Sequence, residues 1–464
     1  MKICDRIVDR IKNEQDKYYI LKIERGNKGD MIKDKQILIN KVNVRDNAKF
    51  SVEVPGSKSI TNRALLIAAL ADGKTTVKGA LFSDDSRHFL KCLIELGYEV
   101  EINEDMHQVS VRGLSGQIPK DKAKIYVGSA GTAARFLTAM LSFSGEYYID
   151  ASEQMKKRPM APLIESLREL GADISYHEKE GHFPFTIKGN GQKTDRITVN
   201  IDNSSQFLSA LLIVSTMFER DMDIEVVGTH GMAYIDITLK MMEQFGVKVE
   251  KNGNIYHIKA GQTYRACEYD VEPDVSAACY FYAMSPLLNV RACVKGVKKS
   301  SMQGDIRFVD ILEKAGCVIS TNENGDIEVM PPERGNYEFG TVDMGSCSDQ
   351  TMTLAVLAPF AKNVTKIKGI GHIRLQESDR IKATKTELVK MGIRCEDEKD
   401  SLTIYPGEVT DSIVETYEDH RIAMSFALIG LKNGGITIDN PSCCRKTFED
   451  YFEKLYEVID KIKK

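Results

Sequence analysis

The sequence predicts an α/β protein assembled from six copies of one unit, set as two groups of three. Two interleaved series of segments carry that prediction. In the first, a helical stretch runs through a glycine into a short strand: KCLIELGYEV, ESLRELGADI, KMMEQFGVKV, DILEKAGCVI and TELVKMGIRC. The glycines Gly97, Gly171, Gly246, Gly316 and Gly392 recur at intervals of 70 to 76 residues, where a helix C-terminus needs positive φ. A degenerate sixth copy, DYFEKLYEVIDKI, lacks the glycine.

The second series is SITNRALLIAALADG, AGTAARFLTAMLSFSG, SSQFLSALLIVSTMF, DVSAACYFYAMSPLL, SDQTMTLAVLAPFA and EDHRIAMSFALIGL, starting at Ser59, Ala130, Ser204, Asp274, Ser348 and Glu418. Each is apolar nearly all round beyond its first turn, so each reads as a buried helix. Strand-like runs lie between the helices: TTVKGALF, YYIDA, IEVVGT, RACVKGV and ITIDN. A solenoid of such units would need capping repeats. Two closed groups of three avoid that need and leave a cleft between two lobes, with the break expected between Tyr269 and Val275. An open doubly wound sheet is the alternative that periodicity leaves standing.

Composition narrows the function classes. The 464 residues are 42% hydrophobic and 28% charged, an ordinary globular balance. The apolar runs Phe136 to Phe143, Phe207 to Phe218 and Ile422 to Leu431 are too short and too interrupted to span a bilayer. With 63 basic and 67 acidic residues the net charge is −4, so no overall field favours nucleic acid or an anionic membrane. The ten cysteines are scattered without a Cys-x-x-Cys pair, the vicinal Cys443-Cys444 being a poor zinc half-site, and the eight histidines show no metal spacing. MKICDRIVDRIKNEQ has no apolar signal core. A reduced, cytoplasmic protein without a metal is expected.

Helix N-termini present unpaired N–H groups and partial positive charge, which suits anions. The buried helices place Lys58, Ser59 and Arg63, then Gly128, Gly131 and Arg135, then Ser204, Ser205 and Gln206, then Ser348 and Asp349, then Asp419, His420 and Arg421 at or near their starts. Connecting segments add Arg158, Glu377, Arg380, Arg445 and Lys446. Any one of these is ordinarily a cap or a solvated charge. Their repetition at equivalent positions is not. If the starts converge, Lys58, Arg63, Arg135, Arg158, Arg380, Arg421 and Lys446 line the cleft, with Asp349 and Glu377 as acidic partners. Such a cleft suits two phosphorylated ligands, each carrying about −1.5 to −2 per phosphate. The Walker frame is absent around Lys58, which removes an ATPase reading.

PGSKSITNRAL, SAGTAAR, KKRPM, NSSQFLSALL, SDQTMTLA, QESDR, EDHRIAMSFAL and RKTFEDYF occur in that order between about Phe50 and Phe452. With these motifs the chain resembles the 5-enolpyruvylshikimate-3-phosphate synthase family, the 3-phosphoshikimate 1-carboxyvinyltransferases of the shikimate pathway. The resemblance implies a two-lobed inside-out α/β barrel of six βαβαββ units, three per domain. Residues 56–271 would form the shikimate 3-phosphate lobe, and 46–55 with 272–464 the phosphoenolpyruvate lobe. Residues 1–45 would be an extension without an assigned role, its pattern an amphipathic helix (Ile3, Ile7, Ile11) and a strand-like YYILKI. It further implies transfer of the enolpyruvyl group from phosphoenolpyruvate to the 5-hydroxyl of 3-phosphoshikimate, without a cofactor, by a monomer.

By the same resemblance Lys58, Ser59, Arg63, Ser204, Ser205, Gln206, Tyr234, Asp349 and Gln376 would hold 3-phosphoshikimate. Lys58, Gly131, Arg158, Gln206, Arg380, Arg421 and Lys446 would hold phosphoenolpyruvate. Asp349, Glu377 and Lys58 would be catalytic. Ser129, Phe136, Gly231, His372 and Gln376 depart from the family's usual residues, which bears on affinity rather than on the reaction. UDP-N-acetylglucosamine enolpyruvyltransferases share the fold but carry a reactive cysteine in a mobile loop; here no cysteine lies between Cys92 and Cys267. A non-catalytic binding protein on the same scaffold would not need Asp349, Glu377 and Lys58 together. Because both lobes supply ligands, substrate should draw them together. Small-angle scattering is expected to show compaction on adding shikimate 3-phosphate, and an unchanged profile would contradict it.

Overall fold

A computed structural model describes residues 36–229 and 231–464. The helix and strand patterns noted at Ile3 to Ile11 and in YYILKI lie outside these residues. Among the described residues five sheets have four strands and one has three, and they remain separate, so the open doubly wound alternative is excluded.

The second unit shows the plan. Strand Lys122–Tyr126, buried helix Gly131–Met140, strand Glu146–Asp150, amphipathic helix Ala161–Leu170, then the hairpin strands Asp173–Tyr176 and Phe185–Lys188 follow in order. The first two strands pair in parallel and the rest antiparallel. This βαβαββ order repeats in the third unit (Arg196 to Ile258) and the fifth (Thr341 to Ile404). The five repeat glycines end or directly follow their amphipathic helices with φ between 83° and 122°, a region where a Cβ is strained.

The other three units borrow a strand. Glu268–Asp270 returns after the third unit to pair in parallel with Asp72–Lys78 of the first. Lys49–Val52, which precedes the first unit, pairs with Arg291–Val294 of the fourth. The sixth unit has strands Ser412–Val414 and Ile436–Asp439 and no hairpin of its own. Its third strand is Gln36–Ile39, within the 1–45 extension that has no role by the family resemblance, antiparallel to Ile436–Asp439. Ile37 and Ile39 bury their side chains there, and Lys464 N donates to Asn43 O at 2.8 Å beside them.

In each lobe the buried helices pack on one another with the sheets outside, the inside-out arrangement expected. Lys58–Leu70, Gly131–Met140 and Gln206–Ile213 fill one core; Val275–Leu288, Thr351–Ala355 and His420–Asn433 fill the other. Sheet strands alternate buried and exposed residues, as in Arg196–Asn200. The fifth buried helix is shorter than its pattern suggests, with 3₁₀ turns at Ser348–Gln350 and Ala358–Phe360. Pro359 has no N–H to bond the Ala355 carbonyl and its ring crowds that position, so the α-helix stops there. The chain crosses between lobes twice, side by side: Ser57 N donates to Glu272 O and Asp274 N to Pro55 O, each at 2.8 Å.

Ile39→Ala tests whether Gln36–Ile39 is an integral strand. Truncating a buried isoleucine should lower unfolding free energy by about 2–5 kcal/mol, read by urea denaturation; a loss below about 0.5 kcal/mol, as on an exposed surface, would contradict it.

Candidate active site

Three of the buried helices of the first lobe and two of the second point their starts at one cleft, a space of about 780 Å³ with its open mouth included. Asp274 sets part of that convergence. Its Oδ1 accepts from Ala277 N, capping helix Val275–Leu288, while its Oδ2 accepts from Lys58 N across the lobe boundary. The starts of the first and fourth buried helices are thereby tied together.

On the first lobe, Arg63 is 2% exposed and donates to Thr238 Oγ1 (2.8 Å), Ser209 Oγ, and the carbonyls of Ser59 and Tyr234. Phe136 lies under its guanidinium at 5.6 Å. Burial lowers its pKa to about 10, so it stays charged. No acidic residue pairs with it among the described residues, which leaves its charge for a ligand. Lys58 Nζ lies 3.5 Å from Asp85 Oδ2. Ser204 and Ser205 are buried at the start of the third helix, where Ser204 Oγ accepts from Gln206 N. Gly131 lets Arg158 approach: a Cβ there would stand 2.8 Å from an Arg158 Nη. Gly231 has φ 67°, and a Cβ there would press on Ser205 Oγ at 2.5 Å, so a serine at this position would compete with Ser205 for space.

The second lobe supplies both carboxylates. Asp349 accepts from Arg421 Nη2 at 2.6 Å and Arg380 Nη1 at 2.9 Å, and Tyr234 reaches across the cleft to donate to it at 2.7 Å. Burial alone would raise this carboxyl; the Arg421 and Arg380 guanidiniums outweigh it and hold the group at about 2. Glu377 accepts from Arg380 Nη2 at 2.8 Å and lies 3.2 Å from Lys446 Nζ and 3.9 Å from Arg158 Nη1. Burial pushes its pKa up, but Lys446, Arg380 and Arg158 together keep it well below the usual range. Arg158 also donates to Gln376 Oε1 at 3.5 Å, so the glutamine caps an arginine of the opposite lobe. His372 makes a 2.8 Å hydrogen bond with Ser348 Oγ.

Arg380 joins these groups. Its Nε and Nη2 hold Asp419 at 2.8 and 3.3 Å while its Nη atoms hold Asp349 and Glu377. Four of its five N–H groups are engaged with three carboxylates. Asp419, wholly buried, also caps the sixth helix by accepting from Arg421 N.

The cleft therefore brings together Lys58, Ser59, Arg63, Gly131, Arg158, Ser204, Ser205, Gln206, Tyr234, Asp349, Gln376, Glu377, Arg380 and Arg421, with Lys446 behind Glu377. Two expectations need correction. Arg135 does not line the cleft: it is 2% exposed and donates to the Gly131 and Pro159 carbonyls and Met155 Sδ, backing Arg158 from inside the lobe. Nor are Asp349 and Glu377 the sole acids, since Asp85, Asp305 and Asp419 stand beside Lys58, Asp349 and Arg380. His420 was legible only as a helix start. Neither of its ring nitrogens has a hydrogen bond among the described residues, and burial, then Lys58 and Arg421, keep it neutral. Among these residues no helix is long and apolar enough to cross a membrane. Asp419→Ala should cost about 3–5 kcal/mol of stability by stranding buried Arg380, measured by chemical denaturation; a loss below about 1 kcal/mol would show that Asp349 and Glu377 suffice to hold it.

The profile of the family described as EPSP synthase (3-phosphoshikimate 1-carboxyvinyltransferase) matches residues 42–455. Relatives named 3-phosphoshikimate 1-carboxyvinyltransferase from Nostoc sp. and Sulfurovum sp. are each 42% identical, over 414 and 413 residues, covering 88% of this chain and 96% of theirs. One from Vibrio atlanticus is 41% identical over 410 residues, 87% of this chain and 95% of its own. A solved EPSP synthase from Acinetobacter baumannii, 25% identical, matches with a TM-score of 0.75 over 91% of this chain and 98% of that one. The match runs through both lobes and takes in every segment that reaches the cleft, and the chain belongs to the EPSP synthase family.

Proposed function

We propose that this chain transfers the enolpyruvyl group of phosphoenolpyruvate to the 5-hydroxyl of 3-phosphoshikimate, releasing phosphate, with the residues of this cleft in the roles that follow. The observation that carries the assignment is the meeting of cations from both lobes around Asp349 and Glu377. The two carboxylates occupy the arginines and Lys446. An incoming phosphate and carboxylate compete for the same donors, and bidentate arginines suit that geometry.

Ser204, Ser205 and Gln206 take the shikimate phosphate, with Lys58, Ser59, Arg63 and Tyr234 around the ring and Gln376 at its edge. Lys58, Gly131, Arg158, Gln206, Arg380, Arg421 and Lys446 take phosphoenolpyruvate. Substrate anions drawing on Arg421 and Arg380 relieve the pull that holds Asp349 ionised so strongly, so the base gains proton affinity when the alcohol arrives. The same exchange at Lys446, Arg380 and Arg158 lets burial dominate at Glu377, which can then carry a proton.

In the addition step Asp349 takes the 5-hydroxyl proton as the oxygen bonds to C2 of phosphoenolpyruvate, and Glu377 protonates C3. In the elimination Glu377 takes a proton back from C3, the C2–O bond to phosphate breaks, and the departing phosphate leaves with the proton first lost by the alcohol. Lys58, Arg421 and Lys446 neutralise its growing charge. Acid–base catalysis supplies about 10²–10⁴-fold, with orientation between charged walls adding to it. The expected oligomeric state is a monomer and the expected compartment is the cytoplasm.

Asp349→Ala and Lys58→Met should each abolish turnover while the fold persists by circular dichroism; near-wild-type rates in either would refute its role. Phosphate release from phosphoenolpyruvate should require 3-phosphoshikimate as acceptor. Release with UDP-N-acetylglucosamine would favour the other enolpyruvyltransferase reaction, and release with neither would favour a binding protein.

A further inference from the structure

Asp305 lies in the 3₁₀ turn Gly304–Ile306 ahead of helix Arg307–Lys314, 5% exposed, with no part in the mechanism above. Its carboxylate accepts a short hydrogen bond from Ser276 Oγ, in the first turn of helix Val275–Leu288, and another from Gln350 Nε2 at 2.9 Å. Gln350 is the residue after Asp349, wholly buried, and its Oε1 accepts from Thr353 Oγ1 at 3.0 Å. A polar chain therefore runs from the fourth helix through Asp305 into the turn that carries the base. That turn needs such support. It is the 3₁₀ segment Ser348–Gln350 ahead of an α-helix of only five residues, so few main-chain bonds fix its orientation.

A long-range charge contact accompanies the mechanical one. Asp305 lies within electrostatic reach of Asp349 and Arg421, while the Arg421 guanidinium itself pairs with Asp349. The other titratable or charged groups around it are Cys279 and Asp274 at the fourth helix, Cys347 on the turn, His420 on the sixth helix, and Tyr234 and Lys58 from the first lobe. Burial, then the charge of Asp349, raise the Asp305 pKa to about 6 despite Arg421, Ser276 and Gln350.

We propose that Asp305 is a positioning residue for the reaction, holding Asp349 in place through Gln350 and facing it with a second negative charge that strengthens it as a base. The proposal rests on the reading of Asp349 as the base. When phosphoenolpyruvate draws Arg421 away from Asp349, the neighbouring carboxylate remains, and like charge favours proton uptake by Asp349. Asp305 is not among the residues that line the cleft of the proposed substrates.

The test is Asp305→Asn in the full chain, with kcat, both KM values and the pH profile of kcat compared with wild type. The amide keeps the size and an acceptor oxygen but removes the charge. The kcat should fall about tenfold, a part of the roughly 10²–10⁴-fold that acid–base catalysis supplies, with both KM values within about twofold. The acidic limb should move to lower pH, because the proton that the pair takes up first, on Asp305, no longer has a site and only Asp349, held far lower, remains to titrate. Gln350→Met removes the link and keeps the charge, so it should lower kcat with the limb in place. Wild-type kcat in Asp305→Asn, or a rise in KM without a limb shift, overturns the proposal. Wild-type kcat in Gln350→Met also overturns it, even if Asp305→Asn fails to fold. If Asp349→Ala is inactive while Asp305→Asn behaves as wild type, only the positioning role falls; an active Asp349→Ala removes the base itself.

Discussion

One guanidinium organises the second lobe's half of the cleft. Arg380 is buried where an unpaired charge would be very costly, and three carboxylates from separate segments converge on it: Asp349, Glu377 and Asp419. Each carboxylate has a second task. Asp419 caps the sixth helix, Asp349 meets Tyr234 of the other lobe, and Glu377 meets Lys446 and Arg158. The three carboxylates come close to balancing Arg380, Arg421 and Lys446, so ligand anions would enter by exchange rather than by filling bare positive charge. In the proposed mechanism the same exchange of partners would move the proton affinities of Asp349 and Glu377 in the direction each step requires.

The first lobe is built on a different principle. Arg63 and Arg135 are buried with main-chain carbonyls, hydroxyls, a thioether and aromatic faces around them instead of carboxylates. Those partners orient the guanidiniums without cancelling their charge. These two guanidiniums of the first lobe therefore keep uncompensated charge, while the second lobe's arginines form a set of paired ions. That asymmetry matches a reaction in which one substrate is gripped unchanged at its phosphate while the other gains and loses protons.

Most of the fold was legible because its signal is local and repeated. The five glycines and the six apolar helices declare themselves at a fixed interval, and all five glycines have positive φ. The strand Gln36–Ile39 was not legible, because its partner Ile436–Asp439 is about 400 residues away and four residues carry too little pattern to announce a pairing. At the site, residues at equivalent helix starts could be gathered from the sequence, but position on a helix does not say where a long side chain ends. Arg135 and Arg158 are the example: the first bends back into its own lobe and the second faces the cleft. Asp85 and Asp305 escaped notice because an acidic residue in a first turn is ordinarily read as satisfying the helix end. Only the fold brings them beside Lys58 and Asp349.

The paired crossover at Pro55–Ser57 and Glu272–Asp274 constrains how the lobes can travel. Two peptide strands bonded to each other bend together more readily than they slide past one another, so any relative movement would favour a swing about this crossover. Along such an arc, contacts near the pivot engage before those at the rim. Asp274 with Lys58 sits at the pivot and Arg87 with Glu449 joins the lobes farther along the chain. A molecule trapped between them would thus be enclosed in sequence, like a page held by a closing book, with its deepest groups seated first.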